Sequence, residues 1–239
     1  MSTELAVVGL GRLSYEKALD LQRTLSQRRI SGEVECDMLI LVEHAPVITL
    51  GRGFRPESLT TPRAALEQRG IEFFEIERGG DITFHGPGQL VGYPIFNLRE
   101  HRQDLHWFLR QLEQCLIRAL EDIGIRGERR KGYTGVWTQG RKIASIGIHV
   151  KQWVTWHGFA LNVTTDLSYF DYIVPCGIPD VVMTSIQHEL RERTPRDVWG
   201  MVLNSVVLGC SEAFGMRPQP VELAEICTGP NRSGDESPA

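Results

Sequence analysis

The chain has 239 residues, 41% of them hydrophobic and 23% charged, with a formal net charge of −4; it is long enough for one globular domain and has no overall basicity to suit a nucleic acid. No apolar run approaches the roughly 20 residues of a membrane span, and the N-terminal MSTELAVVGLGRLSYEK lacks the basic, apolar and small-residue regions of a secretory signal. A cytoplasmic protein that binds neither membrane nor nucleic acid is expected.

Residues 14–30 carry Leu19, Leu21 and Leu25 among charges, a helical pattern. Residues 38–43 (MLILVE) and 47–50 are short apolar runs split by His44, Ala45 and Pro46, expected to be buried strands. Thr61 and Pro62 are placed as the N-cap and first residue of a short helix. Strands are expected at 72–76 and 90–97, on either side of a glycine-rich segment. From 103 to 123, Leu105, Phe108, Leu109, Leu112, Leu116, Leu120 and Ile123 recur at the helical period, with Gly124 and Gly127 ending the helix. Strands follow at 133–137, 142–150 and 158–163, with a hairpin turn at Gln139 and Gly140. In the middle one, Ile146, Ile148 and Val150 alternate with Ser145, Gly147 and His149, so one face is expected to be buried. Thr194 and Pro195 are placed at the start of a last long helix reaching Phe214. The basic clusters RGERRK (126–131) and Arg28 with Arg29 are expected to be solvated surface. Residues 228–239 (TGPNRSGDESPA) have the composition of a disordered tail, leaving 1–227 as a single domain. Strands and helices mix without strict alternation, which favours a mixed-sheet α/β or α+β fold flanked by helices.

The stretch 78–95, RGGDITFHGPGQLVGYPI, gathers five glycines beside Arg78, Asp81, Thr83, His85 and Gln89. Glycine lets backbone approach a ligand closely or turn sharply, so this segment reads as a pocket wall. Among Cys36, Cys115, Cys176, Cys210 and Cys227 there is no CxxC and no zinc-ligand spacing, so neither a metal site nor a structural disulfide is expected. Cys115 and Cys210 fall on helical stripes and read as core residues. Cys176, in VPCGIPD, is a candidate nucleophile with the Gly177 amide as a candidate oxyanion donor, although a lone cysteine is more often simply buried. Its thiol needs help to ionise at neutral pH. His85, His149, His157 and Lys142 are the candidate helpers, and spacing does not rank them. Four lysines against 22 arginines draw attention to Lys142, because arginine cannot lose its proton. No GxSxG, Walker or HExxH motif occurs. GRGFR (51–55) reads as a plain turn, with phosphate contact the rarer alternative.

RGGDITFHGPGQLVGYPI, GRKIASIGIHV, WHGFALNV and PCGI, in this order over residues 78–178, resemble the lipoyl(octanoyl) transferase family. The resemblance implies a fold similar to the catalytic domains of biotin protein ligases and lipoate ligases. It implies an enzyme that moves an octanoyl or lipoyl group from acyl carrier protein to a lysine of lipoyl domains, in 2-oxoacid dehydrogenase subunits and the glycine cleavage H protein. By the match at PCGI, Cys176 becomes the acyl-thioester nucleophile; by the match at GRKIA, Lys142 becomes the residue that lowers its pKa. Arg78, Gly79, Gly80, Asp81, Ile82, Thr83, Phe84 and His85, with Ser145, Ile146, Gly147, Gly158, Phe159 and Ala160, align with segments lining the acyl pocket. Phe84 and Ser145 are small departures inside those motifs. Thioester-to-amide transfer runs downhill, so no cofactor is expected, and nothing requires more than a monomer. Two other readings stay open: an ATP-dependent lipoate or biotin ligase, and a non-catalytic acyl-carrier-binding module.

Overall fold

The computed structural model describes residues 4–228. Strand β2 (Asp37–Glu43) is buried along all but its last residue, because both faces of its sheet are covered, and a strand buried on both faces reads as a continuous apolar run. Met38, Ile40 and Val42 pack on one side with Ala18 and Leu25 of helix α1 (Tyr15–Ser31). Leu39 and Leu41 pack on the other side with helices α3 (Leu105–Asp122) and α5 (Val198–Phe214). Along α3, Phe108, Leu112, Leu116 and Leu120 are fully buried. At about 1.5–3 kcal/mol each, their burial outweighs the tenths of a kcal/mol available from helix propensity.

The main sheet runs β10-β1-β2-β6-β9-β8-β7. It comprises β1 (Glu4–Arg12), β2, β6 (Gln89–Ile95), β7 (Val136–Thr138), β8 (Arg141–Lys151), β9 (Val154–Asn162) and β10 (Arg217–Pro220). β1 is parallel to β2 and β10, and the pairs from β2 through β7 are antiparallel, so the sheet is mixed as expected. Pro218 and Pro220 confine β10 to the sheet edge, where a missing N–H costs least. A second sheet, β4-β3-β5, is built from β3 (Val47–Leu50), β4 (Glu72–Glu75) and β5 (Ile82–His85). Short helices α2 (Arg63–Glu67), α4 (Ile186–Leu190) and α6 (Leu223–Thr228) complete the described α-helices, and five short 3₁₀ turns join the elements.

Several expectations shift for local reasons. α2 begins at Arg63, and Pro62 sits in the N-cap place with an extended ψ of 132° and no side-chain cap. α5 begins at Val198, capped by Asp197, whose carboxylate accepts from Gly200 N at 3.0 Å. The Thr194 hydroxyl is instead spent on Arg191 O at 2.7 Å. β7 starts at Val136 because Tyr133 is held in a turn by Arg130 O. β9 starts at Val154, after a tight turn in which Gln152 and Trp153 both take positive φ, of 49° and 67°; without glycine there, the turn leaves no mark in the sequence. Ile146, Ile148 and Val150 are only partly buried, whereas residues 142–145 are buried. Strands β1, β5 and β10 and the short helices α4 and α6 lie outside the elements expected from the sequence.

Two corrections concern chemistry. Cys115 and Cys210 form a disulfide between α3 and α5, against the expectation of none. The two helices approach closely at Gly209, where a Cβ would press into Cys115 O. Arg29 is buried rather than solvated, its guanidinium paired with Asp37 at 3.1 Å and Glu100 at 2.7 Å. Arg126, Arg129, Arg130 and Lys131 are exposed, as expected. Of the expected tail, Thr228 closes α6 and residues 229–239 lie outside the described residues.

Candidate active site

A cavity of about 480 Å³ opens between the two sheets. Its walls come from β5 (Thr83, His85), β6 (Val91, Tyr93), β8 (Ser145 to Ile148) and β9 (His157 to Ala160), with Tyr15 at the start of α1. Leu105, Leu109 and Tyr133 extend it towards solvent. The volume falls in the range of small-molecule sites.

Lys142 lies near the start of β8, where the backbone is clamped: its N–H donates to Val182 O at 2.8 Å and its C=O accepts from Thr184 N at 2.9 Å. The side chain is 1% exposed, passes over Trp137 with Nζ 5.0 Å from the ring centre, and ends 3.1 Å from Cys176 Sγ. Cys176 occupies a single turn of 3₁₀ helix, Pro175–Gly177, with a left-handed φ of 57°. Such a φ is uncommon for a residue with a side chain and marks a held geometry. The hold is visible. Val174 N donates to Ser58 O at 2.7 Å, and Arg55 Nη2 donates to Gly177 O at 2.9 Å. Arg55 is fixed in turn by Asp81, which also accepts from Ser58 Oγ at 2.6 Å.

Cys176 is half-buried and faces the cavity, with its Sγ 3.7 Å from Ser145 Oγ. Burial pushes the thiol up. The Lys142 charge and hydrogen bond, the Ser145 hydroxyl and the Arg78 charge together bring it below its ordinary value. Arg78 is itself buried and held by neutral acceptors, Thr49 O at 2.7 Å, Thr49 Oγ1 at 2.9 Å and Gly79 O at 3.1 Å. Burial disfavours its charge, and a thiolate at Cys176 relieves that cost. Two cations therefore bias one sulfur towards its nucleophilic form.

Of the histidines named as alternative helpers, His85 and His149 are hydrogen-bonded elsewhere and His157 faces Glu77 without a hydrogen bond. His85 Nδ1 bonds Gln89 Oε1 at 2.8 Å, and burial with the neighbouring His44 brings its pKa down to about 3. His149 Nδ1 bonds Glu77 O at 3.0 Å, and His157 Nε2 lies 3.6 Å from Glu77. The Gly177 amide donates to Val174 O at 2.9 Å, so it is not the free oxyanion donor anticipated. The GRGFR amides are engaged too: Gly51, Arg52 and Gly53 donate to Asp81 O, Arg78 O and Gly80 O. That turn braces the 78–81 wall and offers no amides to a phosphate.

Arg78, Gly79, Gly80, Asp81, Thr83, His85, Ser145, Ile146, Gly147, Gly158, Phe159 and Ala160 all line the cavity with Cys176. Gly147 has a steric reason to be glycine, since a Cβ there would sit 3.0 Å from Gly79 O, where the 78–80 loop crosses β8. Ile82 and Phe84 are the corrections. They alternate with Thr83 and His85 along β5 and point the other way, into the core of the small sheet. Phe84 stacks on Tyr169 at 4.5 Å. Sequence reading missed Tyr15, Val91, Tyr93, Arg55 and Ser58. Tyr93 and Val91 stood inside the glycine-rich segment, and their period-2 spacing would have put them on one face; Tyr15, Arg55 and Ser58 reach the site only through tertiary packing.

The sequence profile of the lipoyl protein ligase A/B catalytic domain matches residues 14–207. The chain belongs to the lipoyl protein ligase A/B family. Within it, the chain is 46% identical to an octanoyltransferase of Koribacter versatilis over 230 residues, covering 91% of each chain. It is 54% identical to an octanoyltransferase of Solibacter usitatus over 169 residues, 71% of this chain and 76% of that one. Octanoyl transfer in protein lipoylation is its enzymatic activity. The fold resembles lipoate-protein ligase A bound with ATP (TM-score 0.72, 14% identity, 95% of this chain and 91% of that one). It also resembles a bipartite lipoate protein ligase from Thermoplasma acidophilum (TM-score 0.70, 15% identity, 95% and 89%). Among the described residues no helix is long and apolar enough to cross a membrane.

Proposed function

We propose that this family member works through a Cys176 acyl-thioester, taking the octanoyl group from acyl carrier protein and passing it to a lysine of a lipoyl domain. The observation that carries the reading is the 3.1 Å contact of Lys142 Nζ with Cys176 Sγ at the wall of a largely apolar cavity. The Cys176 thiolate attacks the thioester carbonyl, its new C–S bond replacing the one to the carrier. The carrier sulfur leaves as a thiol with a proton from the Lys142 ammonium. The acceptor amine then attacks the acyl-enzyme and gives its proton to neutral Lys142, and Cys176 departs as thiolate. The ammonium–thiolate pair is restored, and no cofactor is consumed. The acyl chain, at about 0.8 kcal/mol per buried CH₂, contributes several kcal/mol of binding to this cavity. Ser145 and Arg78 favour the thiolate at the reacting end while Asp81 braces its support through Arg55 and Ser58; 2-oxoacid dehydrogenase subunits and the glycine cleavage H protein supply acceptors of the required kind, and the cytoplasm is where donor and acceptors meet.

A second reading, ATP-dependent activation of a free acid, is favoured only by likeness to an ATP-bound ligase at 14% identity. Intact-protein mass after mixing with octanoyl-acyl carrier protein, without ATP, separates the two. A hydroxylamine-labile octanoyl adduct on wild type and none on Cys176→Ala supports the transferase route. Absence of the adduct, with ATP-dependent octanoylation of a lipoyl domain from free acid, overturns it.

A further inference from the structure

We infer that Tyr93 and Tyr15 form a rigid stop that sets the length of the acyl chain this cavity accepts, an inference that rests on the Cys176 acyl-enzyme reading above. The strand register supplies the ruler. Cys176 Sγ lies 3.7 Å from Ser145 Oγ on β8. Ser145 is opposite Ala160 on β9, and Ala160 is opposite Val91 on β6. All three face the cavity. With neighbouring strands about 4.8 Å apart, Val91 stands about 10 Å across the sheet from Ser145. An extended eight-carbon acyl chain, advancing roughly 1.3 Å per C–C bond of about 1.5 Å, spans about 9 Å.

The two tyrosines lie where such a chain ends. Tyr93 is two residues beyond Val91 on the same face of β6, and Tyr15 reaches in from the start of α1. Both are nearly fully buried. Neither is free to swing aside. Tyr93 Oη is bonded to His44 Nε2 at 2.7 Å, and His44 Nδ1 to Leu13 O at 2.8 Å. Tyr15 is wedged edge-on to His44 at 5.3 Å and stacked on His85 at 5.9 Å, with His85 tied to Gln89. A longer chain would have to break a buried hydrogen bond or displace this ring cluster, and either is costly. Small aliphatic side chains, Ala160 and Val91, flank the path, so the polar ring cluster forms the wall at its end.

The test is the chain-length profile of acyl-enzyme formation with hexanoyl, octanoyl and decanoyl thioesters, read by intact mass in wild type, Tyr15→Leu, Tyr93→Leu and Val91→Phe. Wild type should favour octanoyl. Tyr15→Leu should raise the decanoyl-to-octanoyl ratio on the order of tenfold, the value of two buried methylenes at about fourfold each. Val91→Phe, which shortens the path, should move preference towards hexanoyl. Ratios within one variant are insensitive to how much of it folds, so an unchanged profile in all three variants overturns the inference even if every rate falls. If wild type forms no adduct with any chain, the acyl-enzyme reading fails separately. Equilibrium binding of octanoate and decanoate to the same variants then reads the stop, with unshifted selectivity again overturning it.

Discussion

Replacing Lys142 with methionine keeps an unbranched apolar stem only one atom shorter while removing the charge. At 3.1 Å an ammonium–thiolate pair is worth about 5 kcal/mol at an effective dielectric near 20. Cys176 is half-buried and open to the cavity, so solvent screens part of this and about 2–3 kcal/mol is the net expectation. Acylation of Lys142→Met at pH 7 should therefore fall on the order of 10²-fold. The pH dependence has a definite sign. The wild-type thiol titrates below its ordinary value, so thiolate reactivity rises and levels early in the pH range. In Lys142→Met, burial is no longer opposed by the ammonium, and the rise moves to higher pH. Single-turnover formation of the octanoyl adduct and iodoacetamide alkylation of Cys176 across pH measure both effects. An unmoved alkylation profile with near-wild-type acylation would refute the electrostatic argument. Lys142→Arg separates the two roles of the lysine: it keeps the charge but cannot take up the acceptor's proton. Whatever acyl-enzyme it forms should persist when a lipoyl domain is added, and normal turnover by this variant would remove the proton-transfer role.

Further outcomes follow from the same contacts. Arg55→Ala frees Gly177 O and one side of Asp81, so acyl-enzyme formation should slow about tenfold, with Arg55→Lys intermediate and octanoate affinity unchanged; loss of affinity instead would place Arg55 in the acyl pocket. Phe84→Ala removes a buried ring stacked on Tyr169 and should cost about 3–5 kcal/mol in denaturant unfolding, without altering chain-length preference. The Cys115–Cys210 disulfide closes 95 residues of chain; dithiothreitol, or Cys115→Ala, should lower unfolding stability by about 2–4 kcal/mol, and an intact mass unchanged by reduction would show that the bond is absent.

What the amino-acid sequence determined by itself is what depends on near neighbours. The apolar period of 103–123 specified α3, and the double-sided run MLILVE specified a strand buried on both faces, because 3.6- and 2-residue periods are properties of local geometry. The hairpin turn at Gln139 and Gly140 was legible because glycine readily takes the positive φ such a turn needs; the equivalent turn at Gln152 and Trp153 was not, since nothing in those residue types requires it. Much of the cavity wall was legible as well: the glycine-rich stretch from 78 reads as a wall by its own residues, and 145–147 through its resemblance to a family motif. Only tertiary structure decided which residues of those motifs face the cavity: the pleat of β5 turns Ile82 and Phe84 away from it while Thr83 and His85 face it. Spacing alone did not rank Lys142 against three histidines; the resemblance at GRKIA named it, and only tertiary structure brings it to the sulfur, because the contact spans 34 residues and depends on two separate anchors, Val182 and Thr184 on one side and Ser58 and Arg55 on the other. The same holds for Tyr15 and for the Cys115–Cys210 bond. A chain's spacing carries no information about which of its distant segments will pack together, and it is that packing which brings a charge to a sulfur and a ring to the end of a groove.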